Sequence, residues 1–372
     1  NLNVSGEVST TNAKLKAITA SNTDTAVDVF VYDTRKDSDG GAWRKRTQHT
    51  SWYNETLNTS TRGARKEFPS VAVIVADSTA AETYIYDGDD PDLPMWMVFD
   101  NSSYSILRSH GANMNLTMLN GKLMVGLAPN DAGIGDIDFV SDRAFRHTTS
   151  AGYTNKGTYK GSISERNSGK GFDGIDANPI VNIFVNDVAM TVLPNAPIDA
   201  DTGLPVPTIA VATNGGVSVI KDDGTVVDIT YTNYTISEQV KFLPSGGIIY
   251  STDAVSGQRW IHVDHSLPSS DLNKNQVGYK GDLDDEMYHL VNTSTYLGED
   301  MKLRIMDSAS GFIVDNSGDV VLGASNAATG GLGFISRNPS NPSEGLTCDI
   351  TSSHNTGWMN GDIKLATLSD TD

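Results

Sequence analysis

At 372 residues, with 38% hydrophobic and 20% charged side chains, the chain has apolar material for a large core, and room for two or three ordinary domains or one large all-β domain. Its net charge of −19 argues against a nucleic-acid binder, because most of such a surface would repel a phosphate backbone. One cysteine, Cys348, excludes an intrachain disulfide framework and a cysteine-rich zinc site, and no apolar run is long enough to span a bilayer as a helix.

The 35 glycines, with abundant Asn, Asp, Ser and Thr and few runs of strong helix formers, favour short strands joined by turns. In chain order, candidate meanders fall near 25–48, 68–100, 113–148, 178–196, 207–231, 238–264 and 300–337, with a further strand pair near 346–368. Tight turns punctuate them: Asn120-Gly121 in "MNLTMLNGKLMVGLA", Asn214-Gly215-Gly216 in "TIAVATNGGVSVIK", Ser245-Gly246-Gly247 in "VKFLPSGGIIYST" and Asn316-Ser317-Gly318 in "GFIVDNSGDVVLGAS". Gly and Asn supply the positive φ such turns require, and primed turns match the twist of the flanking strands. Three stretches interrupt the pattern. Residues 150–179 are polar and Gly-rich and read as a surface loop, 195–208 form a Pro-containing connector, and 266–290 form another long loop.

An aromatic pattern recurs across three of these units. Tyr32, Tyr86 and Tyr250 each follow an aliphatic residue, Asp33, Asp87 and Asp253 follow closely, and Trp43, Trp96 and Trp260 come eleven, ten and ten residues after their Tyr. The shared reading is strand, turn, strand with an aromatic pair clamping a hairpin. Repeated three- or four-strand meanders of roughly 50 residues predict a β-propeller of about seven blades formed by residues 1–372 as a single domain. The final strand pair is placed to complete the first blade and close the ring. A β-sandwich or jelly roll is the alternative.

No G-x-S-x-G elbow, H-E-x-x-H helix or phosphate-cradling Gly loop appears, and no paired carboxylates suggest glycoside cleavage. "WIHVDH" places His262 and Asp264 on one strand face, where they form either a two-ligand metal clip or exposed side chains on an outer strand. Calcium is the one cofactor the sequence suggests, with candidate ligands at Asp37 and Asp39 in "DSDGG", in "DGDDPD" (87–92), and at Asp282, Asp284 and Asp285 in "DLDDE". Position 48 is Gln rather than the bidentate Glu a calcium loop uses, and Asp also favours turns for its own backbone bonds. Arg44, Lys45, Arg46, Arg62, Arg65 and Lys66, with Trp52 and Tyr53 between them, form the positive region of an acidic chain. They read either as a contact for an acidic subunit or anionic glycan, or as a balance for Asp37, Asp39, Glu55 and Glu67. Trp43, Trp52, Trp96 and Trp260 are candidate sugar platforms, with Trp52 and Trp358 outside the hairpin pattern.

"VYDTRKDSDGGAWRKRTQHTSWYNE" (31–55) with "EFPSVAVIVA" (67–76), "IDFVSDRAF" (137–145), "NDVAMTVLPNAPIDADTGLPVPTIAVATNGGVSVIKDDGT" (186–225) and "NTGWMNGDIKLATLSDT" (355–371) resembles virion structural proteins of marine tailed bacteriophages. The resemblance covers nearly the whole chain. It implies a tail-associated or fibre protein located in the virion, with other tail proteins as partners in a symmetric multi-copy assembly and with tail structure or host attachment as its role. No catalytic residue is implied. A chain that begins at Asn1 without Met and ends uncapped on "KLATLSDTD" is expected to be part of a longer polypeptide. A host-glycan-binding module and a polysaccharide-degrading tail enzyme are the alternative functions, with neither nucleic acid nor membrane insertion expected.

Overall fold

The alternating segments fold as short antiparallel strands. A computed structural model describes residues 26–77, 82–100, 102–107, 115–127, 133–149, 156–176, 179–231, 236–253, 259–274, 285–290, 309–314, 320–324, 331–336 and 346–351. Among the described residues the helical elements are three 3-10 turns, Thr34–Lys36, Ala42–Arg46 and Ile163–Glu165.

The strands assemble into five sheets. The first contains β1 (Ala26–Asp33), β2 (Val71–Asp77), β3 (Glu82–Asp87) and β4 (Met95–Phe99). The second contains β5 (Asn115–Leu119), β6 (Lys122–Leu127), β7 (Gly133–Asp138), β8 (Arg143–His147) and the short β9 (Gly157–Thr158). The third is β10 (Val185–Thr191), β11 (Thr208–Thr213), β12 (Gly216–Ile220) and β13 (Val226–Tyr231). The fourth is β14 (Val240–Phe242), β15 (Ile248–Asp253), β16 (Arg259–Asp264) and, after β17 (Leu272–Lys274), β18 (Asp285–Leu290). The fifth is β19 (Ala309–Val314), β20 (Val320–Ala324), β21 (Gly331–Ser336) and β22 (Leu346–Thr351).

The first strand of each sheet lies beside the first strand of the next, in the series β1, β5, β10, β14, β19. Up-and-down sheets of about four strands, stacked in chain order through their first strands, are the blades of a β-propeller. The chain is therefore all-β with four-stranded blades in a propeller arrangement.

The expected count of seven blades is not supported: the described residues form five sheets. Two pairs of candidate meanders are each one sheet split by a long connection. Residues 25–48 and 68–100 share the first blade across the excursion 34–70, and 178–196 and 207–231 share the third across 192–207. The strand near 346 pairs with β21 in the fifth sheet instead of completing the first. The loop expected at 266–290 contains β17, which pairs in parallel with β13 and so joins the third blade.

The interblade cores follow from strand alternation. Along β11, Ile209 and Val211 face the second blade in a cluster with Met124, Ile134, Val185 and Val188. Ala210 and Ala212 face the fourth in a cluster with Val217, Val219, Val240 and Ile248. A strand between two blades is thus buried on both sides, which is why β11 and β12 read as continuous apolar runs. Each fully buried aliphatic contributes about 1.5–3 kcal/mol relative to exposure.

Outer edges are covered too. Arg62 bridges Met97 on the outer strand of the first blade, β9 pairs with β8 on the second, and β17 covers β13 on the third. In these three blades the covered edges leave less open ladder for another chain to pair with. The Asn120-Gly121 turn forms as expected, with φ of 53° and 75°.

Candidate functional site

The excursion 34–70, expected as a hairpin led by Trp43, leaves β1 through two of the 3-10 turns. Asp37 organises it. Its carboxylate, itself buried, accepts from the Tyr32 hydroxyl, from Trp43 Nε1 at 2.8 Å and from the Asn120 backbone N–H at 2.9 Å. The Tyr32 hydroxyl accepts in turn from Gly121 N–H at 3.0 Å. Burial pushes the Asp37 carboxyl up, against the hydrogen bonds from Tyr32 and Trp43. Tyr32 and Trp43 therefore meet on one carboxylate, which ties the first blade to the β5–β6 turn of the second.

The other two aromatic pairs are built differently. In the β3–β4 hairpin Tyr86 opposes Met95, and Tyr86 packs with Val73 and Val75 while Trp96 enters the core of the opposite face. In β15–β16 Tyr250 opposes His262, and Trp260 opposes Thr252. The three pairs are not copies of one clamp. What repeats is the meander.

The basic-aromatic region turns largely inward. Trp52 is fully buried and donates from Nε1 to Phe139 O at 2.9 Å, with Trp96 and Phe139 edge-on to its ring. Arg62, also fully buried, donates to Trp96 O and Lys66 O, and its guanidinium lies 4.4 Å from the Trp96 ring centroid. Burial lowers its pKa to about 10. Glu55 faces Arg62 Nε at 3.7 Å and receives Arg166 Nη1 at 2.8 and 3.0 Å. Arg166 also donates to Val98 O and Thr61 O. A Glu between two buried guanidiniums thus clamps the outer edges of the first two blades together.

Arg166 lies in the stretch 150–179, expected as a surface loop. The described part of that stretch instead contributes Tyr159, Ile163 and Phe172 to the core, and a capping box at Ser162 and Glu165 opens its 3-10 turn. Polar composition concealed three apolar residues spaced too irregularly to read as an element.

Of the remaining cluster, Arg65 pairs with Asp87 and Asp89, and Arg44 donates to Phe68 O. Arg46 reaches Thr202 O and Asp39, and Tyr53 is half-buried with Lys66 Nζ 5.7 Å from its ring centroid. Asp39 also accepts from Gly41 N–H. Asp37 and Asp39 are therefore engaged by protein donors, and no group of three metal-ligating side chains occurs among the described residues. Asp282, Asp284 and Trp358 lie outside the described residues, and for Asp285 and Trp260 the backbone alone is described.

His262 and Asp264 are buried, contrary to an exposed outer-strand placement. His262 Nε2 is 2.9 Å from Thr252 Oγ1, and burial holds its pKa well below the usual imidazole value. Asp264 receives Lys274 Nζ at 2.8 Å. β17, read as loop, brings that lysine in and makes the pair a structural one.

A cleft of about 210 Å³ opens between the second and third blades. Lys122, Asp136, Phe145, His147 and Asp176 line one wall, and Val206, Pro207, Ile209, Ile220 and Lys221 line the other. Lys122 Nζ donates to both oxygens of Asp136, at 3.0 and 2.9 Å, and lies 4.0 Å from Asp138. Burial works against its charge, but these carboxylates outweigh it and raise its pKa. His147 packs tilted against Phe145 with ring centroids 4.5 Å apart, and its Nδ1, 3.9 Å from Asp176, has no hydrogen-bond partner. Burial lowers the His147 pKa, against the pull of Asp136 and Asp176. None of these residues stood out in sequence. The one signal was charged and aromatic residues at alternate positions of "DID" and "FRH", where a both-sides-buried strand would be apolar.

No protein-family model matches the chain, and neither does any curated protein. Solved structures similar to it include BBS1N in complex with ARL6DN at 11% identity and TM-score 0.32, covering 74% of this chain and 61% of that one. The β-propeller domain of Myceliophteria thermophila Cps50 (Swd1) matches at 10% identity and TM-score 0.36, covering 74% and 68%. A puromycin hydrolase matches at 12% and 0.34, covering 75% of this chain and 36% of its own length. At these values the propeller assignment rests on strand order and blade packing.

Proposed function

We propose that this chain is a non-enzymatic structural protein of a tailed-bacteriophage virion, built into the tail in several symmetric copies and contributing to tail assembly and host attachment. The observation that supports it best is the bracing of the first two blades. The excursion 34–70 and the segment 157–172 commit Asp37, Trp52, Glu55 and Arg166 to bonds between blades, leaving a stiff platform. Stiffness of this kind suits a subunit that carries load between neighbours. The virion location rests on the sequence resemblance. The partner surface of this reading is the outward remainder of the basic region, Arg44, Arg46 and Arg65, with the edge of Tyr53, facing acidic neighbours.

Antibody raised against the chain, applied to purified particles, is expected to place gold label on the tail at several symmetric positions. Absence of the chain from purified particles by mass spectrometry overturns the reading. Release of reducing ends from host polysaccharide by the purified chain would replace it with the enzymatic alternative.

A further inference from the structure

We propose that the cleft between the second and third blades binds one neutral pyranose ring, the terminal or side-chain sugar of a glycan. The ligand class follows from which chemistries the walls admit.

An anion would meet Asp136 and Asp176 as well as Lys122 and Lys221, and Lys122 is already held by Asp136, so the cleft offers it no net positive charge. A metal cation would have to displace Lys122 Nζ from the two Asp136 oxygens it already holds. A wholly apolar ligand would strip water from the Lys122–Asp136 pair without returning hydrogen bonds, which is costly. A neutral polyol avoids all three penalties. Its hydroxyls donate to the remaining lone pairs of Asp136, and they accept the third Lys122 ammonium proton, which the two Asp136 bonds leave over. Its C–H face has a partner in the half-buried Phe145 ring, with Val206, Pro207, Ile209 and Ile220 opposite.

Size agrees with a single ring. At about 210 Å³ the cleft holds the equivalent of about seven waters at ~30 Å³ each, room for one pyranose and not for a disaccharide. The polar groups are also held in place beforehand. Asp176 accepts Thr148 N–H at 2.9 Å, and Lys122 and Asp136 sit on paired strands of one blade. Groups fixed in advance lose little entropy on binding.

This site is independent of the scaffold reading and is tested on the purified chain. Saturation-transfer NMR with methyl glucoside, galactoside, mannoside and fucoside at about 10 mM should give transfer from at least one, with Kd of about 1–10 mM as suits a single ring. Phe145→Ala should weaken binding about tenfold. Val206→Trp, which fills the cleft from the connector, should abolish it and covers the case in which Phe145→Ala unfolds. No transfer from any of the four overturns the proposal. So does binding that survives Val206→Trp, or a methyl glucuronide or inorganic phosphate that binds more tightly than every neutral glycoside.

Discussion

Replacing Glu55 with Gln removes the carboxylate that faces both buried guanidiniums while keeping side-chain shape and one acceptor oxygen. Arg62 and Arg166 have side chains 0% and 1% exposed, and Glu55 is 15% exposed. Breaking a buried ion pair from one side costs about 3–5 kcal/mol, chiefly because a charge stays buried without a partner. Three features set the value here. Two guanidiniums lose their counter-charge, which raises the cost. Arg166 keeps its bonds to Val98, Thr61 and Ile163 carbonyls, and Glu55 is partly wet, which lower it. We expect Glu55→Gln to lose about 2–4 kcal/mol. Urea unfolding followed by tryptophan fluorescence reads this as a lower midpoint at unchanged slope. A double-mutant cycle with Arg166→Met should show coupling of about 1–3 kcal/mol, since each change removes the same contact. A loss under about 0.5 kcal/mol, or strictly additive effects, would refute the clamp.

Three further outcomes are expected. Ser70, Val71 and Arg65 all donate to Asp89 and, against burial, hold its pKa at about 2. A depressed carboxylate stabilises above its unfolded value of 3.8 and loses that contribution as pH falls towards 2. The shift of roughly 2 units, discounted for a side chain 24% exposed, is worth about 1–2 kcal/mol. The stability difference between the wild type and Asp89→Asn, read by urea midpoints, should be full at pH 6, fall to about a third at pH 2.5 and nearly vanish at about pH 1; a difference that grows in acid is the contrary result. Gly121→Ala should cost about 1–3 kcal/mol, because φ is 75° and a Cβ would come 2.7 Å from Val140 Cγ2; a melting temperature equal to wild type would contradict it. Trp52→Ala should cost about 3–5 kcal/mol by opening a cavity and freeing Phe139 O, where a surface sugar platform would lose almost nothing.

Local order was readable from residue chemistry alone. Alternation marked the strands of 68–100, 113–148, 207–231 and 238–264, and Asn120-Gly121 marked its turn, because side-chain direction and positive φ are properties of neighbours in the chain. How many blades those strands make was not readable. β1 joins β2 across 34–70, and β10 joins β11 across 192–207, through hydrogen bonds that leave no trace in the spacing. The roles of charged residues were hidden for the same reason. Arg62 and Trp52 look like surface chemistry in one dimension, and Arg166 looks like loop. Only packing brings Arg166 to Glu55, Lys274 to Asp264, and Lys122, Asp136, Phe145 and Asp176 to the walls of one cleft. Strand and turn follow from the residues beside one another, while burial and ion pairing follow from which distant residues the blades bring together.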